Sequence, residues 1–163
     1  MAGIPIYRSA VRPEWIDYNG HVRDAYYGLI ASEATDALMD RLGLDAAYRT
    51  RTGATLYTVE MHVHFLREVK QTDSVEVGVH ILGFDHKRIH AAFDIARSGT
   101  PEAAAMVELM LLHVRQEPGR AATAPFPPEV ASQLAQLHAA SAALPAAGPG
   151  SRRMELRARP ASP

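Results

Sequence analysis

Trp15-Ile-Asp-Tyr-Asn-Gly-His-Val22 leads directly into a segment with helical periodicity, and the rest of the predicted structure is organised around this junction. Within five positions it holds a carboxylate (Asp17), a side-chain amide (Asn19), a flexible glycine (Gly20) and an imidazole (His21). Such groups can hold a carbonyl, stabilise negative charge on its oxygen and direct a water molecule at its carbon. The sequence therefore concentrates candidate chemistry at the start of a helix.

The helix and the strands are predicted from a change of hydrophobic period. From Val22 to Leu42, apolar residues recur every three or four positions, which predicts a helix of five or six turns that Gly43 ends. Alternation then predicts strands over 57–65, 74–84, 88–97 and 103–114, after a first strand in residues 4–11. The run 103–114 is apolar on both faces, as in a strand buried on both sides, although periodicity alone leaves a buried helix open. Short turns between strands require antiparallel pairing.

These elements predict an α+β fold in which an antiparallel five-stranded sheet wraps around one long central helix, since each has one apolar face to bury. We assign residues 1–120 to this domain. Residues 121–144 form a C-terminal helical extension, with a short helix near 128–143 that carries apolar Val130, Leu134 and Leu137. Residues 145–163 contain too few apolar side chains to order themselves and are predicted to be a flexible tail.

Composition excludes several classes of protein. A chain of 163 residues with 47% hydrophobic content suits one compact domain. Its net charge of -1 gives no reason to expect a nucleic-acid partner or a membrane surface. The chain has no cysteine, so disulfides, thiolate metal sites and a cysteine nucleophile are excluded. We see no signal peptide and no membrane-spanning run, and expect a cytoplasmic protein.

The segment Asp17-Tyr-Asn19-Gly-His21-Val-Arg-Asp-Ala-Tyr26 resembles the D-x-N-G-H-V-x-x-x-Y signature of hotdog-fold thioesterases of the 4-hydroxybenzoyl-CoA thioesterase class. The resemblance covers roughly residues 5–116. Further segments resemble the betainyl-CoA thioesterase subfamily of carnitine degradation, among them Leu-Tyr-Thr-Val-Glu, Arg-Glu-Val-Lys, Ile-Leu-Gly-Phe-Asp and Leu-Leu-His-Val.

The resemblance implies a hotdog homodimer or tetramer with active sites at the subunit interface. It also implies hydrolysis of a small acyl-CoA thioester, in this subfamily betainyl-CoA to glycine betaine and CoA. Coenzyme A would be part of the substrate, and no separate cofactor is implied. Two alternatives stay open: a broader short-chain or aromatic acyl-CoA thioesterase, and a non-catalytic acyl-CoA binding module.

For catalysis we expect Asp17 to act as general base toward water or, less favourably, as a nucleophile, with Asn19 and His21 in positioning roles. Free amides between Val22 and Tyr26, at the helix N-terminus, would bond the thioester oxygen. The alternative is structural: helix capping by Asp17 or Asn19, and a hydrogen-bonded structural role for His21.

Two departures from the relatives affect these roles. Many relatives carry two asparagines where this chain has Arg23 and Asp24, so a pocket role for that pair is not transferred. In plant acyl-carrier-protein thioesterases the next strand supplies an acidic residue at the position of His64. Which side chain acts on water therefore stays open.

Glu60, His62 and His64 share one face of a predicted strand. This face is either solvated or, in a dimer, meets the motif, which makes Glu60 and His64 candidate catalytic or supporting groups. The spacing of the two histidines also suits a metal, but a third and fourth ligand are missing, so no metal site is expected.

Substrate contacts are expected from aromatic and cationic residues, with Gly20 and Val22 beside them. Three converging rings would bind a quaternary ammonium group through cation–π attraction, although ordinary core packing is the alternative for each ring. The candidate rings are Trp15, Tyr18, Tyr26, Tyr27, Tyr57 and Phe65. The candidate cations for the CoA phosphates, which are otherwise simply solvated, are Arg67, Lys70, Lys87 and Arg88.

Overall fold

The predicted long helix is α1, Asp24–Arg41, in the computed structural model, which describes residues 2–145. One face of α1 is buried, as its apolar spacing requires, through Tyr27, Ile30, Ala31, Ala34, Thr35, Leu38 and Met39. Gly43 follows with a φ of +75°, a left-handed conformation that favours glycine, and the helix ends there. The helix prediction is confirmed.

One antiparallel sheet contains all six strands. They are β1 (Ile4–Ala10), β2 (Ala54–Phe65), β3 (Ser74–Phe84), β4 (Arg88–Arg97), β5 (Ala103–Glu117) and β6 (Arg120–Thr123). The order across the sheet is β1-β3-β4-β5-β2, and β6 pairs with β5 as a short additional strand. The predicted antiparallel sheet with one long helix against it is confirmed, while β6, which falls at the start of the predicted extension, was not expected.

The core lies between α1 and the sheet. Alternate residues of β3 and β4 face this core, and α1 contacts β1, β2 and β5. The fully buried residues on this face of the two strands are Val75, Val77, Val79, Ile81, Ile89, Ala91, Phe93 and Ile95. Strand β5 is buried on both faces over most of its length, so the strand interpretation of this apolar run is confirmed.

The opposite face of β3 and β4 carries a buried polar pair. The Oδ2 atom of Asp94 lies 3.0 Å from Nε2 of His80 and accepts the backbone N–H groups of Ala2 and Gly3 at 3.1 and 3.0 Å. Gly3 also lies directly against Gly78, where a Cβ on either glycine would come within 3 Å of backbone atoms of the other. Ala2 and Gly3 are thereby fixed to the sheet.

Two further helices complete the described chain. Helix α2, Ala46–Thr52, was not expected, although its ends carry ordinary signals: the Asp45 side chain accepts the Tyr48 N–H at 2.8 Å, and Gly53 has a φ of +66°. Helix α3, Pro128–Ala142, confirms the predicted C-terminal helix.

Helix α3 packs against β3. Its buried residues Val130, Leu134 and Leu137 join the core, and the Ser141 hydroxyl accepts the N–H of Ile81 at 2.9 Å. The domain boundaries remain predictions, and beyond residue 145 the predicted tail lies outside the described residues.

Strand β2 forms one edge of the sheet, and most of its expected core face is not covered. The alternation in residues 57–65 suggested that the apolar row faces the core, but in the single subunit most of this row is exposed. The exposed members are Tyr57, Val59, Met61 and Phe65, and Leu66 and Leu29 of α1 are exposed as well. The strand is therefore confirmed, and the burial of its apolar face within one subunit is corrected.

Candidate active site

The motif folds into a tight turn whose two ends, Ile16 and Val22, pair through an isolated antiparallel β-bridge. The carbonyl oxygen of Asp17 accepts the N–H of Gly20 at 3.1 Å, and the Asp17 N–H donates to the His21 carbonyl at 2.9 Å. Gly20 has a φ of +82°, which explains a glycine at this position. The turn presents His21 and Val22 immediately before α1.

The Asp17 carboxylate is bound to its own turn. Its Oδ1 atom accepts the backbone N–H of His21 at 3.2 Å and of Asn19 at 2.8 Å. The hydrogen bond from His21, together with those from Asn19, holds the pKa of Asp17 below its usual value, so the carboxylate is ionised at neutral pH. Neither Asp17 nor Asn19 caps α1, whose N-cap is Arg23 without a side-chain cap.

At the start of α1, one backbone N–H group is available to bond a ligand, rather than several in succession. Val22 donates to Val69 O at 2.8 Å, Arg23 to Trp15 O at 2.9 Å, and Tyr26 to Arg23 O at 3.0 Å. The Ala25 N–H is taken by the side chain of Asp24 at 2.8 Å. Between Val22 and Tyr26, the backbone N–H of Asp24 is the one without an acceptor among residues 2–145, which corrects the expectation of several free amides.

A pocket of about 340 Å³ lies at the start of α1 and is lined in part by Asp24. Its lining consists of His21, Val22, Asp24, Tyr27, Phe65, Leu66, Arg67 and Glu68. Nε2 of His21 lies 3.0 Å from Oε2 of Glu68, so an imidazole and a carboxylate are paired at its wall. Asp17 and Asn19 are not among the lining residues, although the turn they form positions His21.

The six aromatic candidates do not form one cluster within the subunit. Trp15 is buried and stacks on Tyr26 at 5.9 Å between ring centroids, and the guanidinium of Arg12 lies 4.9 Å from the Trp15 ring centroid. Tyr27 and Phe65 form a separate edge-to-face pair at 5.3 Å in the pocket.

The other two rings lie elsewhere. Tyr18, at the tip of the motif turn, is 95% exposed. Tyr57 bonds to Gln116 and pairs with Leu112, whereas Phe65 pairs with Ala105 at the other end of β5. Only Tyr27 and Phe65 of the six line the pocket.

Glu60 and His64 are not brought to this pocket. Glu60 pairs with His62 at 2.8 Å, and both line a second pocket of about 170 Å³ that also contains His90 and Glu108. Nε2 of His64 is shielded from solvent and makes no hydrogen bond with the described part of the chain. A role for Glu60 or His64 in the reaction stays a prediction that requires a second subunit.

The predicted cations divide into two groups. Arg67 lines the pocket, and Lys70 forms a backbone bridge with His21. Arg88 pairs with Leu112 of β5, seven residues from the Ala105 partner of Phe65, or about 23 Å along the strand. Arg88 is also ion-paired with Asp85 at 2.7 Å, so Lys87 and Arg88 do not belong to this pocket within one subunit.

Residues 2–145 contain no group of three or more histidine, aspartate or glutamate side chains arranged to hold a metal ion. Over the same range, no helix has the length and apolar character needed to cross a membrane.

Comparison with known proteins identifies the family. The model of the thioesterase-like superfamily matches residues 11–134, which include the motif turn, α1, the strands β2–β6 and the start of α3. The chain belongs to the thioesterase-like superfamily. The resemblance to hotdog thioesterases, the fold and the class of thioester hydrolase predicted from the sequence are thereby confirmed.

Individual relatives narrow the comparison within the superfamily. The chain is 47% identical to the betainyl-CoA thioesterase of Pseudomonas aeruginosa over 139 residues, which cover 85% of this chain and 86% of that protein. It is 38% identical to the L-carnitine dehydrogenase/betainyl-CoA thioesterase of Agrobacterium fabrum, covering 82% of this chain but 27% of that longer protein. A crystal structure of a protein from Pseudomonas putida KT2440, proposed to be a thioesterase, superposes with a TM-score of 0.84 at 42% identity and covers 97% of this chain and 99% of that one.

Three pocket residues, Asp24, Leu66 and Glu68, were not predicted from the sequence. Asp24 was set aside because it departs from the asparagine found in many relatives, and Glu68 stood unremarked between two cations. The polar character of residues 67–70 directly after a strand was the available signal, since strand ends commonly carry binding groups.

Proposed function

We propose that this chain hydrolyses betainyl-CoA to glycine betaine and CoA. The observation that carries the proposal is the 47% identity, over most of both chains, to the Pseudomonas aeruginosa betainyl-CoA thioesterase. The pocket at the start of α1 supports it, because a backbone amide, an imidazole–carboxylate pair and two aromatic rings meet there. These groups suit a small acyl thioester.

Hydrolysis requires water to add to the thioester carbonyl carbon. The carbonyl π electrons move to the oxygen, and the C–S bond then breaks so that CoA leaves as a thiolate. The Asp24 N–H, at the positive end of α1, is the donor we assign to the developing oxyanion. A correctly aimed donor of this kind is typically worth about 2.7–4 kcal/mol of the barrier.

The proton of the attacking water needs a base. We assign this role to Asp17, which is ionised because backbone amides of its turn bond to Oδ1. Asp17 does not line the pocket within one subunit, so this role requires the thioester to lie at the pocket edge nearest the motif turn. Asn19 donates its backbone N–H to that carboxylate, and His21 extends from the same turn into the pocket. Direct attack by Asp17 through a mixed anhydride is the alternative, and both pathways consume one water and release one thiolate.

The functional unit in this proposal is a homodimer, or a tetramer built from such dimers. Strand β2 is an edge strand with an exposed apolar row, and such edges pair readily with a second chain. A two-fold axis beside β2 would join the two sheets and cover Val59 and Met61 of both copies. It would also bring the polar face of Glu60 and His64 in one copy toward the motif of the other.

Arg67 and Lys70 are the cations assigned to the CoA phosphates from within the same subunit, because both lie beside His21. Lys87 and Arg88 are assigned this role across the dimer, since they lie at the far end of the sheet. The proposal treats CoA as part of the substrate, invokes no other cofactor, and places the protein in the cytoplasm.

The test is a panel of acyl-CoA substrates, with release of the CoA thiol followed by a thiol-reactive dye. Purified full-length protein is expected to give its highest kcat/KM with betainyl-CoA, well above butyryl-CoA and benzoyl-CoA. Equal turnover of all three would replace the proposal with a broad thioesterase. Binding of acyl-CoA without turnover of any would replace it with a binding module.

A further inference from the structure

The pocket beside α1 is lined by both aromatic and acidic side chains, which is unusual for a site that binds an apolar acyl group. Tyr27 is 4% exposed and presents its ring to Phe65, with 5.3 Å between the centroids and 77° between the planes. Two carboxylates, Asp24 and Glu68, line the same space, and Arg67 is the single arginine or lysine among the lining residues. Rings and carboxylates together favour a positively charged occupant.

The negative charge of Glu68 acts on Tyr27, one of the two aromatic residues that line the pocket. Burial raises the pKa of the Tyr27 hydroxyl, and the nearby negative charge of Glu68 raises this pKa further. Glu68 uses Oε2 for His21 at 3.0 Å, and its side chain is 71% exposed. Its field therefore acts on a group placed against Tyr27, with partial screening by solvent.

We infer that Tyr27, Phe65 and Glu68 form the subsite for a quaternary ammonium group in the acyl part of the substrate. This inference rests on the proposed function, since the betainyl group carries a trimethylammonium one methylene away from its carbonyl carbon. Asp24 and the two rings line the same pocket, which is consistent with so short a spacing between an oxyanion bound at the Asp24 N–H and a cation bound at the rings. These three residues determine specificity and have no part in bond breaking.

The other aromatic pair does not provide this subsite. Arg12 lies over the ring of Trp15, and Tyr26 stacks on Trp15 as well. Trp15 is also 1% exposed and is not among the residues that line the pocket. A guanidinium already at that ring would repel a second cation.

A matched pair of substrates isolates the charge. In 3,3-dimethylbutyryl-CoA, a carbon replaces the nitrogen of betainyl-CoA, so size and shape are kept and the positive charge is removed. We expect Glu68→Gln to lower the ratio of kcat/KM for betainyl-CoA to kcat/KM for the neutral analogue by about twofold to fivefold. Glu117→Gln is the matched control, because Glu117 is an exposed carboxylate paired with Arg120 away from the pocket.

The ring is tested separately from the carboxylate. Phe65→Leu removes the aromatic ring but keeps an apolar side chain at a half-exposed position, so the variant is expected to fold normally. It is expected to lower the preference for betainyl-CoA over the neutral analogue by roughly 2- to 30-fold. Tyr27→Phe keeps a ring in the buried position and is expected to retain the preference.

A binding measurement makes the inference independent of turnover. Tetramethylammonium chloride is titrated into the full-length protein and followed by ligand-observed NMR, with tetramethylammonium signals expected to broaden for the wild type and less for Glu68→Gln. If Glu68→Gln slows both substrates equally, Glu68 acts through His21 and the subsite is overturned. If the wild type hydrolyses neither substrate but binds tetramethylammonium, the proposed function fails and the subsite stands.

Discussion

The Oδ1 atom of Asp17 accepts the backbone N–H of His21 at 3.2 Å, which ties the carboxylate to the residue that enters the pocket. The same oxygen also accepts the Asn19 N–H. A single side chain therefore supports the shape of the motif turn and carries the negative charge assigned to catalysis. These two roles are separable by substitution.

Asp17→Asn keeps an oxygen that accepts both amides and removes the charge. We expect kcat to fall by about 10²–10⁴-fold, the usual contribution of a general base, with little change in the melting temperature. Asp17→Ala removes both roles and is expected to lower the melting temperature as well. Steady-state kinetics and thermal melts of the two variants provide the comparison. Full activity in Asp17→Asn would reduce Asp17 to a structural role in the turn.

The pH profile distinguishes a carboxylate base from an imidazole. The hydrogen bond from His21 lowers the pKa of Asp17, so this group stays ionised to a lower pH than an ordinary aspartate does. The acid limb of kcat/KM is therefore expected in the acidic range where carboxylates titrate, and any stability that Asp17 adds is lost only as pH falls through its lowered pKa. A limb at about pH 6–7, where histidine side chains titrate, would indicate that His21 takes the proton instead.

The exposed row of β2 predicts how the oligomer can be disrupted. Val59→Asp places a charge in the middle of the edge strand, where Val59 is 55% exposed in the single subunit. We expect a monomer by size-exclusion chromatography with light scattering, together with a loss of activity if both copies build the site. Leu82→Asp is the control, since Leu82 is also exposed but lies on the interior strand β3. An unchanged oligomer in Val59→Asp would remove the edge-pairing proposal.

Helix α3 is expected to stabilise the sheet as an integral part of the domain. Leu134→Ala should lower the free energy of unfolding by about 2–5 kcal/mol, because Leu134 is fully buried in the core. Ser141→Ala should cost about 1–3 kcal/mol, because it leaves the buried Ile81 N–H without its acceptor. Gln133→Ala, at an exposed position of the same helix, is the control in urea denaturation. A near-zero effect of both buried substitutions would make α3 a loosely attached extension.

Local patterns were sufficient for the main elements of the fold. The alternation of Val75, Val77 and Val79 and the spacing of apolar residues before Gly43 specify periods that only a strand and a helix satisfy. Helix α2 was not predicted because it has seven residues and one buried side chain, Tyr48, which give no detectable hydrophobic period. Its N-cap, Asp45, is the main local signal for a helix.

The site was harder to predict, since its walls come from distant parts of the chain. His21 and Glu68 are 47 positions apart, and no spacing rule relates them. The aromatic candidates illustrate the same limit. Trp15 and Tyr27 are close in the sequence, but in the fold Trp15 stacks on Tyr26 whereas Tyr27 packs against Phe65. The register of β2 and the helical phase of α1 determine these neighbours. The apolar row of β2 looks like a core face in the sequence because an exposed edge strand can have the same alternation as a covered one.

Gly3 lies directly against Gly78, and Asp94 accepts the backbone N–H groups of Ala2 and Gly3. This arrangement has a practical consequence for producing the protein. An affinity tag fused ahead of residue 2 would add chain next to a contact that leaves no room for a side chain. Attaching the tag at the opposite terminus, or separating a leading tag by a long cleavable spacer, would preserve the first strand in recombinant material used for all of these assays.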